Sequence, residues 1–201
     1  MKTSEHLTKA DRTRQFIIEK TAPIFNTKGY AGTSMSDITE VTGLTKGSIY
    51  GNFENKDEVA LAVFDYNLRR VNSIMKAEIN AAETYKDKLL GYTRVYQNFK
   101  TGPFPEGGCP LLNTAVEADD THKELRKKAA EAVLRWKNNI TALIEKGIAA
   151  GEFRKGVQPE QTAVTMIALI EGGIMISKLM NKGSYLGDIV KSCEKLIDDL
   201  S

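Results

Sequence analysis

The chain has 201 residues, enough to bury a sizeable core as one large domain or two small ones. Its 41% hydrophobic and 27% charged residues read as those of a soluble globular protein. The net charge of +2 excludes bulk attraction to nucleic acid, but the surplus is localised: residues 1–56 hold eight Lys/Arg against six Asp/Glu, and residues 57–201 hold twenty of each.

The first periodic segment, residues 9–28, places Phe16, Ile17, Ile24 and Phe25 on one broad helical face. Pro23 lies inside it and is expected to kink the helix or weaken one turn, since it lacks an N–H and clashes with the preceding turn. Residues 30–57, YAGTSMSDITEVTGLTKGSIYGNFENKD, then spell two short helices with a tight turn between them. Thr33 and Ser34 offer hydroxyls for an N-cap before residues 35–41, with Asp37 placed for a capping box. Gly43 ends that helix in the left-handed conformation only glycine adopts freely, and Thr45 caps a second helix over residues 46–53. This is a helix-turn-helix over about residues 34–53, whose second helix is the one that lies in the DNA major groove.

Residue types on that second helix suit the task. Lys46 and Ser48 lie on its first turn, and Gly47 keeps it slim although glycine costs roughly 1 kcal/mol against alanine inside a helix. Ile49 and Phe53 share a face and anchor it, while Tyr50 and Asn52 point elsewhere with donors for phosphates or base edges. Residues 57–80 form the next helix, started by Asn55 as cap with Asp57 and Glu58 at its positive end. Further helices are expected over 85–100, 109–119, 121–150, 159–181 and 184–200, with a Gly/Pro loop over 101–108. No strand alternation occurs, so the fold class is all-α with about nine helices: an N-terminal three-helix domain carrying the helix-turn-helix, and a C-terminal helical bundle. Residues 163–180 are apolar nearly all round, which suits burial against both the protomer's own core and a second subunit.

The run TxxxDITxxxGLTKGSIYxNFxNKDEVALAV, together with the upstream PIFNTKGYAGTSM, resembles the DNA-binding region of TetR-family transcriptional repressors over about residues 10–65. One departure matters: Gly51 and Asn52 stand where many relatives carry bulky polar residues, so the operator sequence does not carry over. The resemblance implies a DNA-binding domain over 9–69 and a ligand-binding and dimerisation domain over 70–201, the last two helices of each chain forming a four-helix dimer interface. It also implies a homodimer on palindromic double-stranded DNA with reading heads about 34–36 Å apart. A small-molecule inducer, of unidentified chemistry, would bind in the bundle, swing the helix at 57–80 and change that separation.

The DNA contacts expected are Lys46, Ser48 and Tyr50, helped at the backbone by Thr33, Thr45, Asn52 and Lys56. Lys56 has two readings, a phosphate contact or a solvated lysine, and the resemblance favours the first. Candidate ligand-pocket residues are Phe64, Tyr92, Tyr96, Phe99, Phe104, Asn113, Glu117, Trp136, Met166, Glu171 and Met175, with core packing as the competing role of the aromatics. Glu171 needs a partner if buried: a ligand amine, or Lys178 or Arg135 across a subunit interface. Cys109, at the start of a short helix, is either an oxidation or electrophile sensor, the alternative route to derepression, or a small buried hydrophobe.

Cys109 and Cys193 make no metal-like spacing with His6 or His122, and free thiols in a reducing cytoplasm are expected. No run reaches about 18 uninterrupted apolar residues, and the N-terminus is polar, so neither a membrane span nor a signal peptide is expected. Without a phosphate-binding glycine loop, a zinc-ligand helix or a GxSxG elbow, the sequence points away from an enzyme, and no cofactor is expected. A ligand-free architectural DNA binder is the third class weighed; it leaves most of the chain without a task.

Overall fold

A computed structural model of the chain describes residues 8–97 and 102–201. Among the described residues every regular element is helical: α1 (Lys9–Lys28), α2 (Met35–Thr42), α3 (Lys46–Tyr50), α4 (Lys56–Ala81), α5 (Tyr85–Gln97), α6 (Pro110–Ala118), α7 (Lys123–Ala149), α8 (Pro159–Leu179) and α9 (Ser184–Asp198). The chain divides into two compact units. The first ends at Arg69, inside α4, and also takes in Pro105–Arg126; the second holds Arg70–Phe104 and Lys127–Ser201. Sequence alone places residues 105–126 with the C-terminal part. The structure gathers them into the unit that carries the helix-turn-helix.

In the first unit, α1 runs unbroken through Pro23. Its start is a capping box in which Thr8 and Asp11 satisfy each other's backbone N–H groups. The core is Ile17, Ile18, Ala22 and Phe25 from α1, Ile38 from α2, Ile49 from α3, Phe53, and Val59, Ala60 and Val63 from α4. Short helices such as α2 and α3 hold no stability of their own in water, so this shared apolar centre is what fixes them. α3 stops at Tyr50, earlier than the expected Phe53: Asn52 and Phe53 both donate backbone N–H bonds to the Ile49 carbonyl, and the last turn tightens around it.

The second unit is built on packing of α9 against α8 and α5. Gly173 permits the close approach of α8 and α9, because a Cβ there would sit 3.0 Å from side-chain carbons of Leu186 and Ile189. Its buried residues include Leu89 and Tyr92 of α5, Met166, Ile170 and Ile174 of α8, and Val190, Cys193 and Ile197 of α9. Tyr92 and Tyr96 stack on Trp136 at 6.4 and 5.4 Å between ring centroids, and Phe104 lies 5.4 Å from Tyr96. α8 is apolar and long enough to cross a membrane, with mean hydropathy 1.5. Its residues divide by face: Met166, Ile170 and Ile174 point inward, while Val164, Met175 and Leu179 are left 53%, 50% and 80% exposed.

Candidate nucleic-acid interface

The helix-turn-helix is built by local bonds. Ser34 and Asp37 form the expected capping box of α2, and Asp37 also pairs with Lys28 of α1 at 2.7 Å. The Lys28 ammonium, then the Ser34 hydroxyl and N–H, hold the Asp37 carboxyl well below the usual carboxylate range. Gly43 closes α2 at φ 67° with its N–H on the Thr39 carbonyl. Thr45 caps α3, its hydroxyl accepting from the Ser48 N–H at 3.2 Å.

α3 is anchored by fully buried Ile49 and presents Lys46, Gly47 and Tyr50 outward, Tyr50 being 51% exposed. A Cβ on Gly47 would meet no atom closer than the Thr45 hydroxyl at 3.9 Å. The protein's own packing therefore does not require glycine there; an external surface approaching the backbone would. Behind α3, Arg14 spans from α1 to the α3–α4 connection. Its guanidinium donates to the Asn52 carbonyl, pairs with Glu58 at 2.6 Å, and lies 3.9 Å over the Phe53 ring. Glu58 in turn accepts the Glu54 N–H, and that bond, more than Arg14, holds its carboxyl below the usual range.

A five-residue helix pinned from behind and bare in front is a reading head. Two family models match this chain: the one described as bacterial regulatory proteins, tetR family, covers residues 17–63, and the one for the tetracyclin repressor-like C-terminal domain covers residues 86–193. The chain belongs to the TetR family. It is similar to the crystallised TetR-family transcriptional regulator from Cytophaga hutchinsonii, at 53% identity over 98% of each chain and a TM-score of 0.92. It is also similar to the HTH-type transcriptional regulator TtgR of Pseudomonas putida, at 28% identity over 95% of this chain and 92% of that one. The HTH-type transcriptional repressor DhaR of Mycobacterium sp. strain GP1 is 27% identical over 83% and 82% of the two chains. TetR-family proteins are DNA-binding transcriptional regulators, generally repressors, and not enzymes. They dimerise and bind small-molecule ligands.

Within this TetR-type head the expected contacts fall into two groups. Thr45, Lys46 and Tyr50 are exposed and Ser48 is half-buried. Thr33 is fully buried and its hydroxyl donates to the Gly29 carbonyl, so it cannot touch a phosphodiester backbone as expected. Asn52 turns its amide back onto the Ser48 carbonyl at 2.8 Å. Lys56, expected at a phosphate, is half-buried: its ammonium donates to the Tyr30 and Thr33 carbonyls at 2.9 and 3.0 Å and lies 4.1 Å over the Tyr30 ring.

The candidate pocket residues are split between the units. Tyr92, Tyr96, Trp136 and Phe104 form the aromatic cluster of the second unit, with Met166 fully buried in the same unit and Glu171 half-buried. Phe64, Asn113 and Glu117 instead line a small cleft of the first unit, with Phe25, Asn67 and Leu125. Met175 stands on the exposed face of α8 and lines neither, while Phe99 lies outside the described residues. Cys109 is 1% exposed, which removes the solvent access a sensing thiol needs.

Sequence reasoning missed Tyr30 and His122. The Tyr30 hydroxyl donates to Asp57 at the start of α4, and that bond with burial raises the phenol to about 12. His122 packs edge-on against the Tyr30 ring at 4.6 Å and caps α7 by accepting the Leu125 N–H at its Nδ1. Only the tyrosine's place at the end of a helix hinted at this, since its partners lie 27 and 92 positions along the chain.

Proposed function

We propose that this chain is a cytoplasmic, homodimeric repressor that occupies a palindromic operator and leaves it when a small-molecule inducer binds the second unit. The observation that carries the operator reading is the outward face of α3, where Thr45, Lys46, Ser48 and Tyr50 surround a glycine that the fold does not require. Lys46 and Tyr50 are the base-edge and phosphate donors, and Thr45 and Ser48 serve the backbone. The homodimer reading is supported by Val164, Ala168, Met175 and Leu179, which make one exposed apolar stripe along α8. Its two-fold axis would set the two α3 helices on successive major-groove turns.

The inducer reading is supported by the Tyr92–Tyr96–Trp136–Phe104 cluster, where the buried Trp136 indole N–H has no hydrogen-bond partner among the described residues. A planar apolar compound carrying an acceptor fits that environment. Selection of binding sites from random duplexes tests the whole. Enrichment of a two-fold symmetric sequence by a protein that sediments as a dimer supports the reading, and enrichment of no sequence, or binding by monomers, overturns it.

A further inference from the structure

The hydrogen bond from the Tyr30 hydroxyl to Asp57 joins the two ends of the segment 30–57, so one contact closes the length of chain that holds the whole helix-turn-helix. Against this bond lies His122, on the connection from α6 to α7. Its ring meets the Tyr30 ring edge-on at 4.6 Å between centroids, and its Nε2 lies 3.9 Å from the second Asp57 oxygen. Its Nδ1 accepts the Leu125 N–H at 3.2 Å and its carbonyl accepts the Arg126 N–H at 2.9 Å, which makes His122 the N-cap of α7. The Nδ1 bond fixes the neutral tautomer: the ring proton is on Nε2, an atom that is buried and has no hydrogen-bond partner among the described residues.

The usual caps are Asn, Asp, Ser and Thr, whose oxygens remain acceptors near neutral pH. A histidine cap differs, because one proton on Nδ1 turns its acceptor into a donor facing another donor. That proton also sets a positive charge at the positive end of a helix. On the other side of the ring it gives Nε2–H the charge to draw on Asp57. The ionisable groups on the surrounding elements are Tyr30 from the turn, Asp57 and Lys56 from α4, Glu117 from α6 with Asp119 and Asp120 after its end, and Lys123, Glu124 and Arg126 from α7 itself. Of these, Tyr30 packs on the imidazole and Asp57 comes within 4 Å of it, while the Lys56 ammonium lies 4.1 Å over the Tyr30 ring and Glu117 accepts the Tyr30 N–H.

We propose that His122 is a proton-operated latch on the reading head. Neutral, it caps α7 and leaves Asp57 to the Tyr30 hydroxyl, and the head keeps its DNA-binding form. Protonated, it gives up the cap and competes for Asp57, so the segment 30–57 loses its closure. Operator affinity therefore falls as pH falls through the range in which histidines take up a proton. The latch rests on the operator-binding reading. Its sign separates it from bulk charge, since added positive charge strengthens a protein's hold on phosphate.

The test measures affinity for a selected duplex at one salt concentration, at about pH 7.5 and about pH 5.5. The full chain carries His6→Gln, so that His122 is the one histidine left. Tight binding at the higher pH is the control on the operator reading itself, so its failure is distinct from failure of the latch. Acidification should weaken this parent about fivefold, the worth of one helix cap. His122→Asn in the same background keeps a capping oxygen that takes up no proton in this range, so its affinity should hold or rise in acid. Asp57→Asn keeps an acceptor for Tyr30 without the charge, and should lose less than the parent. Nitrogen chemical shifts of the imidazole should show the Nε2–H tautomer at the higher pH. Unchanged or tighter binding by the parent in acid, an equal acid loss in His122→Asn, or a neutral ring protonated at Nδ1 would each overturn the latch. An equal loss in Asp57→Asn would overturn the part given to Asp57.

Discussion

The two units hold themselves together by different physics. In the first, polar side chains are spent on the backbone of turns: Asn26, Asn113, Glu117, Lys56, Arg14 and Thr33 all bond to main-chain groups, most of them far away in sequence. In the second, aromatic and aliphatic packing dominates, and the buried Trp136 Nε1, Thr141 Oγ1 and Ser177 Oγ have no hydrogen-bond partner among the described residues. Hydrogen bonds are directional and fix angles; apolar contacts are not, and allow a core to repack at modest cost. A head that must meet fixed groove geometry is well served by the first arrangement, and a bundle that must answer a ligand by the second.

The largest break in this comparison comes from the small apolar centre on which the polar bonds depend. Phe53 is 2% exposed and sits beneath the Arg14 guanidinium, so Phe53→Ala should destabilise the first unit by about 3–5 kcal/mol. Thermal unfolding should then show the first unit melting ahead of the second, where the unaltered chain gives a smaller separation. Coincident melting at the original temperature would mean that the two units do not differ in this way.

Gly29→Ala is expected to cost less. The glycine combines φ 77° with ψ 178°, a backbone region essentially closed to side chains, with a penalty of about 1–3 kcal/mol. The added methyl also pushes on Glu117, so DNA affinity should fall by more than the stability change explains. Equal losses in Gly29→Ala and in Gly29→Ala/Glu117→Ala would show that strain alone is responsible. Gly43→Ala is the useful comparison: it too has positive φ, at 67°, but a Cβ there meets nothing within 4 Å.

What could be read in the sequence follows from the range of each interaction. The Ser34–Asp37 box, the Gly43 stop, the Thr45 cap and the Asn55 cap all act over three residues or so, and each is where local chemistry puts it. Helix α1 begins and ends where its periodicity does, and the apolar residues of α8 that stay exposed were legible in its composition. The membership of α6 in the first unit was hidden, because Glu117 reaches Tyr30 and Asn113 reaches Asn26 across 87 residues. The bonds of Lys56 were hidden for a related reason. A lysine at a helix start looks the same with or without a neighbouring turn's carbonyls, and only the fold brings those of Tyr30 and Thr33 to 2.9 and 3.0 Å. Tyr92, Tyr96 and Trp136 were legible as aromatics on apolar faces, but their stacking across two helices was not.

The smallest effects give the sharpest contrast, because they differ in sign. Thr33 and Ser177 are both fully buried hydroxyl residues. The Thr33 hydroxyl donates to the Gly29 carbonyl, so Thr33→Val keeps the volume but strands a buried acceptor, costing about 1–2 kcal/mol. The Ser177 hydroxyl has no partner among the described residues, so Ser177→Ala removes a desolvated polar atom and leaves nothing stranded. It should be neutral or stabilising by up to about 1 kcal/mol. Denaturant melts of the two variants at one pH measure both, with an unchanged denaturant slope required so that the difference reports stability alone. If both hydroxyl deletions destabilise by the same amount, Ser177 has a partner in solution. The contrast in hydrogen bonding between the two units would then be narrower, resting on Trp136 Nε1 and Thr141 Oγ1.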